Sequence, residues 1–189
     1  MRTSPTTARS WPEAEIDVEE LIARAEITDV LHRYCSAVDR RDPDLLRSVY
    51  HPDATDDHGV YSGPVDGLVE FMLGDGLEMI HHAISNIVIE RDGDVARVGC
   101  YLDAVHRRVD DTGSWDEMLK ARYLDRFERR GGEWRIAHRH VVYDWGRIER
   151  STQGWWDTLP GNLTFGSRDR DDPDYTEEPW PWPRPQEAA

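Results

Sequence analysis

The sequence is poor in the features that indicate a disulfide scaffold or a membrane protein. It has only two cysteines, Cys35 and Cys100, and each lies inside a predicted regular element, so we expect buried free thiols. No stretch approaches the roughly 20 apolar residues that span a bilayer. The polar N-terminus lacks the apolar region of a secretory signal. These observations predict a soluble protein of the cytoplasm with no membrane partner.

Positive charge is also scarce. Lys and Arg number 23 against 38 Asp and Glu, which gives a formal net charge of -15. An acidic chain repels phosphate backbones, so we expect no nucleic-acid partner. The acidic excess is spread along the chain except for a cluster near 169–178, which we interpret as a solubility feature.

The 189 residues favour one domain with a tail. Apolar residues at helical spacing predict a long amphipathic helix that begins after Asp17, the expected N-cap with Glu20 three residues on, and ends near Asp39. Asp42 is the expected N-cap of a second, short helix with Pro43 at its first position.

The chain then changes to strand-like composition. The segment HPDATDDHGVYSG predicts a short strand, and PVDGLVEFMLGDG predicts a third helix limited by its glycines. Four long runs follow, separated by turn signals, at 78–91, 93–109, 114–130 and 132–149. Helices before sheet predict an α+β fold, with three N-terminal helices packed on a strongly curved, mostly antiparallel sheet.

The predicted domain occupies residues 17–150, between two segments of different composition. Residues 1–16 are polar and indicate a loose arm. The extension 151–189 is expected to pack on the body at first, and then to become Pro- and acid-rich and extended. The apolar residues that predict the packed part are Trp155, Trp156, Leu159, Leu163 and Phe165.

A curved sheet closed by helices encloses a pocket, in which polar side chains need a chemical reason. Asp39 lies in the last turn of the first predicted helix, where a carboxylate faces the negative end of the helix dipole. A solvated side chain is the simple interpretation. A neighbouring imidazolium or other cation is the alternative.

Two adjacent histidines, His81 and His82, begin the first long strand. Alternation places them on opposite faces, but both faces are apolar enough to be covered, and a bulge would alter the pattern further. Imidazole titrates near neutrality and suits a general base. If Asp39 accepted the other N–H of the ring, it would fix the tautomer.

Five segments in order, YCSAVDRRD, HPDA, HHAISN, DGDVA and RYLDRFERRGGEWRIAHRHVVYDW, resemble the SnoaL-like subgroup of the NTF2-like superfamily. The resemblance runs from about residue 17 to 146. The members of this subgroup that the sequence resembles are scytalone dehydratase, hexachlorocyclohexane dehydrochlorinase and bile-acid 7α-dehydratase. It implies an NTF2-like cone with a His–Asp dyad that performs eliminations without a cofactor.

The resemblance also implies roles for individual residues. The dyad aspartate falls on Asp39, and the dyad histidine falls on His82, four residues before Asn86, so that His81 points the other way. Tyr34 and Arg139 match pocket donors. Asp103 and Tyr123 are further candidates for substrate binding.

Asp56 and His58 depart from the dehydrochlorinase pattern, which is apolar at these positions. They indicate a more polar, hydroxylated substrate or a second acid/base pair. A metal interpretation would combine them with His82 and with His106 or His138, but the spacings match no metal motif, so we predict no metal. Arg122 and His140 are interpreted as ladder or interface groups.

We therefore predict a cofactor-independent lyase acting on a hydrophobic oxygenated small molecule such as a steroid, polyketide or terpenoid. A ketosteroid-type isomerase is one alternative. A non-catalytic ligand-binding or assembly subunit, as in the β subunits of ring-hydroxylating dioxygenases, is another. The apolar outer face of a bent sheet predicts a homo-oligomer, either a trimer or a dimer.

Overall fold

The computed structural model describes residues 16–74, 76–151, 161 and 163–175. The three helices are α1 (Val18–Asp39), α2 (Pro43–Ser48) and α3 (Val65–Leu73). The six strands are β1 (Tyr50–Asp57), β2 (Ser62–Pro64), β3 (Leu77–Asp92), β4 (Val95–Asp110), β5 (Gly113–Arg130) and β6 (Glu133–Arg150). The predicted α+β fold, three helices packed on a mostly antiparallel sheet, is confirmed.

Local signals fix the helix boundaries. Asp17 caps α1 by accepting a hydrogen bond from the backbone N–H of Glu20 at 2.8 Å. Asp42 caps α2 in the same way, accepting from the N–H of Leu45 at 3.1 Å. Because Arg41 adopts a left-handed conformation with φ 52°, α1 ends in a tight turn that leaves Asp39 in its last turn.

The sheet is open, with strand order β2-β1-β6-β5-β4-β3. Strands β3 to β6 form the predicted antiparallel meander. Strand β1 joins it by pairing parallel to β6, which the sequence did not indicate. This pairing brings the first strand beside the last one and leaves β2 and β3 as the two edges of the sheet.

The core lies between the helices and one face of the sheet. Alternate residues of β4, from Ala96 to Ala104, are buried against this layer, and Cys100 is among them. Cys35 on α1 is also buried, and both cysteines are free, as predicted. Burial raises the pKa of the Cys35 thiol to about 12 and that of Cys100 to about 11.

The described part of the extension packs in a different way from the prediction. Leu163 and Phe165 are 44% and 61% exposed, whereas the charged residues Arg168 and Asp172 are buried. The charged residues are buried because the end of α1 offers them polar partners, namely backbone carbonyl groups for Arg168 and the side chain of Arg40 for Asp172. Trp155, Trp156 and Leu159, the N-terminal arm 1–15 and the segment 176–189 lie outside the described residues.

None of the helices within the described ranges is both long enough and apolar enough to cross a membrane.

Candidate active site

Asp39 and His82 form a closely bonded pair between α1 and β3. The Nδ1–H of His82 donates to Oδ1 of Asp39 at 2.6 Å. The backbone N–H of His82 donates to Oδ2 of the same carboxylate at 3.1 Å. Both side chains are 10% exposed or less. The two contacts fix the carboxylate and the imidazole ring, and they leave Nε2 as the nitrogen that can accept a proton.

A bulge in β3 sets the face that His82 occupies. Asn86 has a left-handed conformation with φ 52°, and the register with β4 shifts at this point. Before the bulge, His82 and Ile84 face the helices, and after it Ile87 and Ile89 do so. The neighbouring His81 is exposed. The bulge therefore allows one strand to contribute both the histidine and a continuous apolar face.

A second His–Asp pair is buried in the same layer. Asp56 accepts a hydrogen bond from Nδ1 of His58 and another from the hydroxyl of Tyr50 at 2.7 Å. Nε2 of His58 lies 3.2 Å from the hydroxyl of Tyr34. Burial raises the pKa of the Tyr34 phenol, so this hydroxyl keeps its proton and can donate it to His58.

Arg139 links Tyr34, the neighbour of the second His–Asp pair, to Asp125 on β5. Its guanidinium makes a bidentate ion pair with Asp125 at 2.8 and 2.7 Å, and both side chains are fully buried. The guanidinium carbon also lies 4.0 Å from the ring centre of Tyr34 and 3.8 Å from that of Tyr123. Although burial opposes the charge, Asp125 holds the pKa of Arg139 well above its usual value.

Two buried polar atoms of this cluster lack a protein partner. The hydroxyl of Tyr123 and Nη1 of Arg139 make no hydrogen bond within the described part of the chain. Buried polar groups are normally bonded, so each of these atoms has capacity for a ligand oxygen or a water molecule.

The remaining candidates lie away from this layer. Asp103 points to the outer face of the sheet, where it pairs with Lys120, and its side chain is 48% exposed. It is therefore not brought together with the other candidates, because the register of β4 gives the inner face to its neighbours Leu102 and Ala104. Arg122 pairs with Asp144 at the surface, in keeping with its interpretation as a ladder group.

Among the described residues, the side chains named in the metal interpretation do not converge on one point. The ring of His106 lies 5.7 Å from that of His82, on the adjacent strand. His138 bonds to Thr55 at the surface. No group of three His, Cys, Asp or Glu residues is placed to hold an ion among the residues that the structure describes.

Sequence reasoning missed Tyr50 and Asp125. Asp125 alternates with the buried residues Tyr123 and Phe127 on β5, and this alternation would have placed it on the inner face. The hydrogen bond from Tyr50 to Asp56 accompanies a shift in the register of β1 with β6 between Tyr50 and Thr55. The sequence carries no local signal for that shift.

Comparison with known proteins identifies the family of this chain. The chain belongs to the SnoaL-like domain family. The domain matches residues 19–140, which contain both His–Asp pairs and Arg139. The uncharacterized protein Rv2910c of Mycobacterium tuberculosis (strain H37Rv) is 32% identical in an alignment 137 residues long, which covers 66% of this chain and 87% of the relative.

Solved structures with 20% identity or less share the fold. The hexachlorocyclohexane dehydrochlorinase LinA type 2 has a TM-score of 0.67, with 20% identity over 78% of this chain and 100% of its own. A Novosphingobium aromaticivorans protein assigned as a scytalone dehydratase has a TM-score of 0.62, with 19% identity and coverages of 70% and 91%. A protein of the same organism assigned as a dioxygenase β subunit has a TM-score of 0.54, with 20% identity and coverages of 66% and 91%. The resemblance to the SnoaL-like subgroup is therefore confirmed.

Proposed function

We propose that this protein is a cofactor-independent lyase in which His82 is the general base. The observation that carries the proposal is the two-point contact between Asp39 and His82, which fixes the ring and leaves Nε2 as the basic atom. A His–Asp pair without a nucleophilic hydroxyl suits removal of a proton from carbon.

In the proposed reaction, Nε2 of His82 removes a proton from a carbon next to a carbonyl group. The electron pair forms the double bond as a hydroxide leaves from the next carbon. Asp39 stabilises the imidazolium that results, and the proton returns to the departing hydroxide, so water is released.

Tyr34 and Arg139 are the proposed donors to the carbonyl oxygen or to the leaving hydroxyl. The unpartnered Nη1 of Arg139 and hydroxyl of Tyr123 support this assignment, because a substrate oxygen would satisfy both. Asp56 and His58 form the proposed second acid/base pair, and in this proposal Tyr34 turns its one proton from Nε2 of His58 to the substrate oxygen when substrate binds.

The proposed substrate is a hydrophobic oxygenated molecule of the steroid, polyketide or terpenoid class. Tyrosine rings and aliphatic side chains surround the paired groups, which favours an apolar skeleton. The unpartnered polar atoms of Arg139 and Tyr123 favour oxygen substituents on that skeleton. Two of the structural neighbours are named as a dehydrochlorinase and a scytalone dehydratase, which agrees with elimination chemistry.

The bonded dyad favours an enzyme over an assembly subunit. A β-subunit-like role requires no carboxylate–imidazole contact inside the fold. The 2.6 Å contact between Asp39 and His82 removes both groups from water, which is unfavourable unless the pair has a function. An isomerase would use the same base and return the proton at another carbon.

A panel of β-hydroxy ketones and β,γ-unsaturated ketones with steroid, polyketide and terpenoid skeletons tests the proposal. We expect at least one member to lose water when incubated with the protein in deuterium oxide, as detected by mass spectrometry. A product of unchanged composition that carries deuterium would replace the lyase with an isomerase. Absence of any turnover or exchange across the panel would contradict both.

A further inference from the structure

The described part of the C-terminal extension reaches the dyad from outside the SnoaL-like domain. The domain match ends at residue 140, whereas Arg168 lies 28 residues further along. Its guanidinium is buried against the end of α1, the helix that carries Asp39. The extension therefore contributes a charged group beside the candidate site that the domain alone does not contain.

Arg168 binds three backbone carbonyl groups from two elements. Its Nη2 donates to the oxygen of Val38 at 3.1 Å, and its Nε donates to the oxygen of Asp39 at 3.3 Å. Its Nη1 donates to the oxygen of Leu77 at 2.9 Å. Leu77 is the first residue of β3, the strand that carries His82. One side chain thus connects the end of the helix that holds the acid to the start of the strand that holds the base.

These contacts provide hydrogen-bond donors to carbonyl groups at the C-terminal end of α1. The last carbonyl groups of a helix have no partner within it, and they form the negative end of the helix dipole. The last turn of α1 contains no basic residue of its own. Arg168 supplies a donor to the carbonyl of Asp39 and a second donor to that of Val38, which also accepts from the N–H of Arg41 at 3.2 Å. Its positive charge joins those of Arg40 and Arg41, which follow the helix directly, and Arg41 shares the oxygen of Leu77 with it at 3.0 Å.

Other residues of the extension bind the turn between α1 and α2. The buried carboxylate of Asp172 accepts from the N–H of Ser167 at 2.8 Å and pairs with Arg40 at 3.1 Å. Arg170 and the hydroxyl of Tyr175 both bind the carboxylate of Asp42, at 3.1 and 3.0 Å. These contacts bind the extension to the turn between α1 and α2 at several points.

We propose that Arg168 is a positioning residue that fixes Asp39 relative to His82. The planar guanidinium spans carbonyl groups of both elements, which a flexible ammonium group does not. The inference rests on the proposed roles of Asp39 and His82, but it concerns their geometry, and a spectroscopic signature can measure that geometry without a substrate.

The test compares Arg168→Gln and Arg168→Lys with the matched control Arg170→Gln. Arg170 belongs to the same segment, but it binds a side chain of the turn and no carbonyl group at the end of α1. The protein is labelled with ¹⁵N-histidine, and the ring signals of His82 are assigned by their loss in His82→Gln. The readout is the hydrogen-bonded Nδ1–H proton of His82, together with the ¹⁵N shifts that report its tautomer.

We expect the wild type and the Arg170 variant to show one Nδ1–H tautomer with a bonded proton signal. Both Arg168 variants should lose that signal and show a mixture of tautomers, while their circular dichroism stays native. An unchanged His82 signature in either Arg168 variant would overturn the inference. Loss of the folded state in both would also contradict it, because a clamp at the helix end leaves the core packing in place.

The two proposals fail separately. If the protein catalyses no elimination, the wild-type tautomer and its dependence on Arg168 still stand. If the signature does not depend on Arg168, the role of His82 as a base is unaffected.

Discussion

Among the residues that the structure describes, Arg139 is the largest side chain that the core encloses completely. Its charge is tolerated because Asp125 binds it at two points and two tyrosine rings cover its faces. A buried charge left without its partner is costly, whereas an exposed pair contributes little. The arginine that the resemblance implied as a pocket donor is therefore also a structural link between β5 and β6.

Substitution of Arg139 tests this link. We expect Arg139→Ala to lower the free energy of unfolding by about 3–5 kcal/mol, because it leaves the Asp125 carboxylate buried and unpaired. Urea denaturation measures the change. Arg122→Ala is the matched control, since Arg122 makes a similar two-point ion pair with Asp144 between the same strands at the surface. Equal effects of the two substitutions would contradict the structural role.

Individual residues differ in how far the sequence predicted their positions. Asp39 follows from the local helix pattern, since its place in the last turn depends on signals within a few residues. His82 could not be separated from His81 by alternation alone, and the resemblance supplied the choice. Asp103 was placed with the pocket because the strand register was uncertain, and one residue of register moves a side chain to the opposite face.

At the scale of elements, the bulge at Asn86 decides what β3 presents to the core. We expect Asn86→Gly to leave stability nearly unchanged. Asn86→Val should lower the free energy of unfolding by roughly 1–2 kcal/mol, because a β-branched residue disfavours the left-handed conformation. Urea denaturation of both variants provides the comparison. A valine variant as stable as the glycine variant would show that the conformation at this position is not required.

Elements were predictable where their signals are local. The caps Asp17 and Asp42 and the glycine turns of the meander follow from short patterns, and the structure confirms them. The parallel pairing of β1 with β6 and the docking of Arg168 join segments some 80 to 130 residues apart. Such contacts depend on the assembled fold, so no neighbouring residue indicates them.

At the scale of the whole molecule, buried phenols and thiols predict sensitivity to alkali. Burial raises the pKa of Tyr34, Tyr50 and Tyr123, and it raises that of Cys35 to about 12. An unfolded tyrosine ionises near pH 10 and an unfolded cysteine near 8.5. Above these values the folded state binds more protons than the unfolded state, so stability falls as the pH rises.

We expect the urea midpoint to decrease steadily between about pH 8 and pH 11. The phenolate absorbance of the three buried tyrosines should emerge only with unfolding. A midpoint that stays constant across this range would contradict the burial of these groups.

The outer face of the sheet predicts self-association. Tyr101, Leu124 and Trp145 are 43% to 58% exposed on the outer face of the strands. A concavity of about 620 Å³ lies on this face beside Leu124. Exposed apolar surface of this kind is typical of an interface.

Light scattering after size-exclusion chromatography should therefore give a dimer or a trimer, and Leu124→Glu should shift it toward the monomer. Leu163→Glu is the control, because Leu163 has a similar exposed fraction of 44% but lies in the extension. A wild-type monomer at all concentrations would contradict this assignment of the outer face.

The central claim is that one of two adjacent histidines is the base. The most direct measurement is the turnover of a substrate found in the ketone panel by His82→Ala and by His81→Ala. We expect the first variant to lose on the order of 100-fold or more in turnover, since a positioned general base contributes about that much. The second should keep nearly wild-type activity, because His81 is exposed and lies on the opposite face of β3 from His82. Full activity in the folded His82→Ala variant would contradict the account.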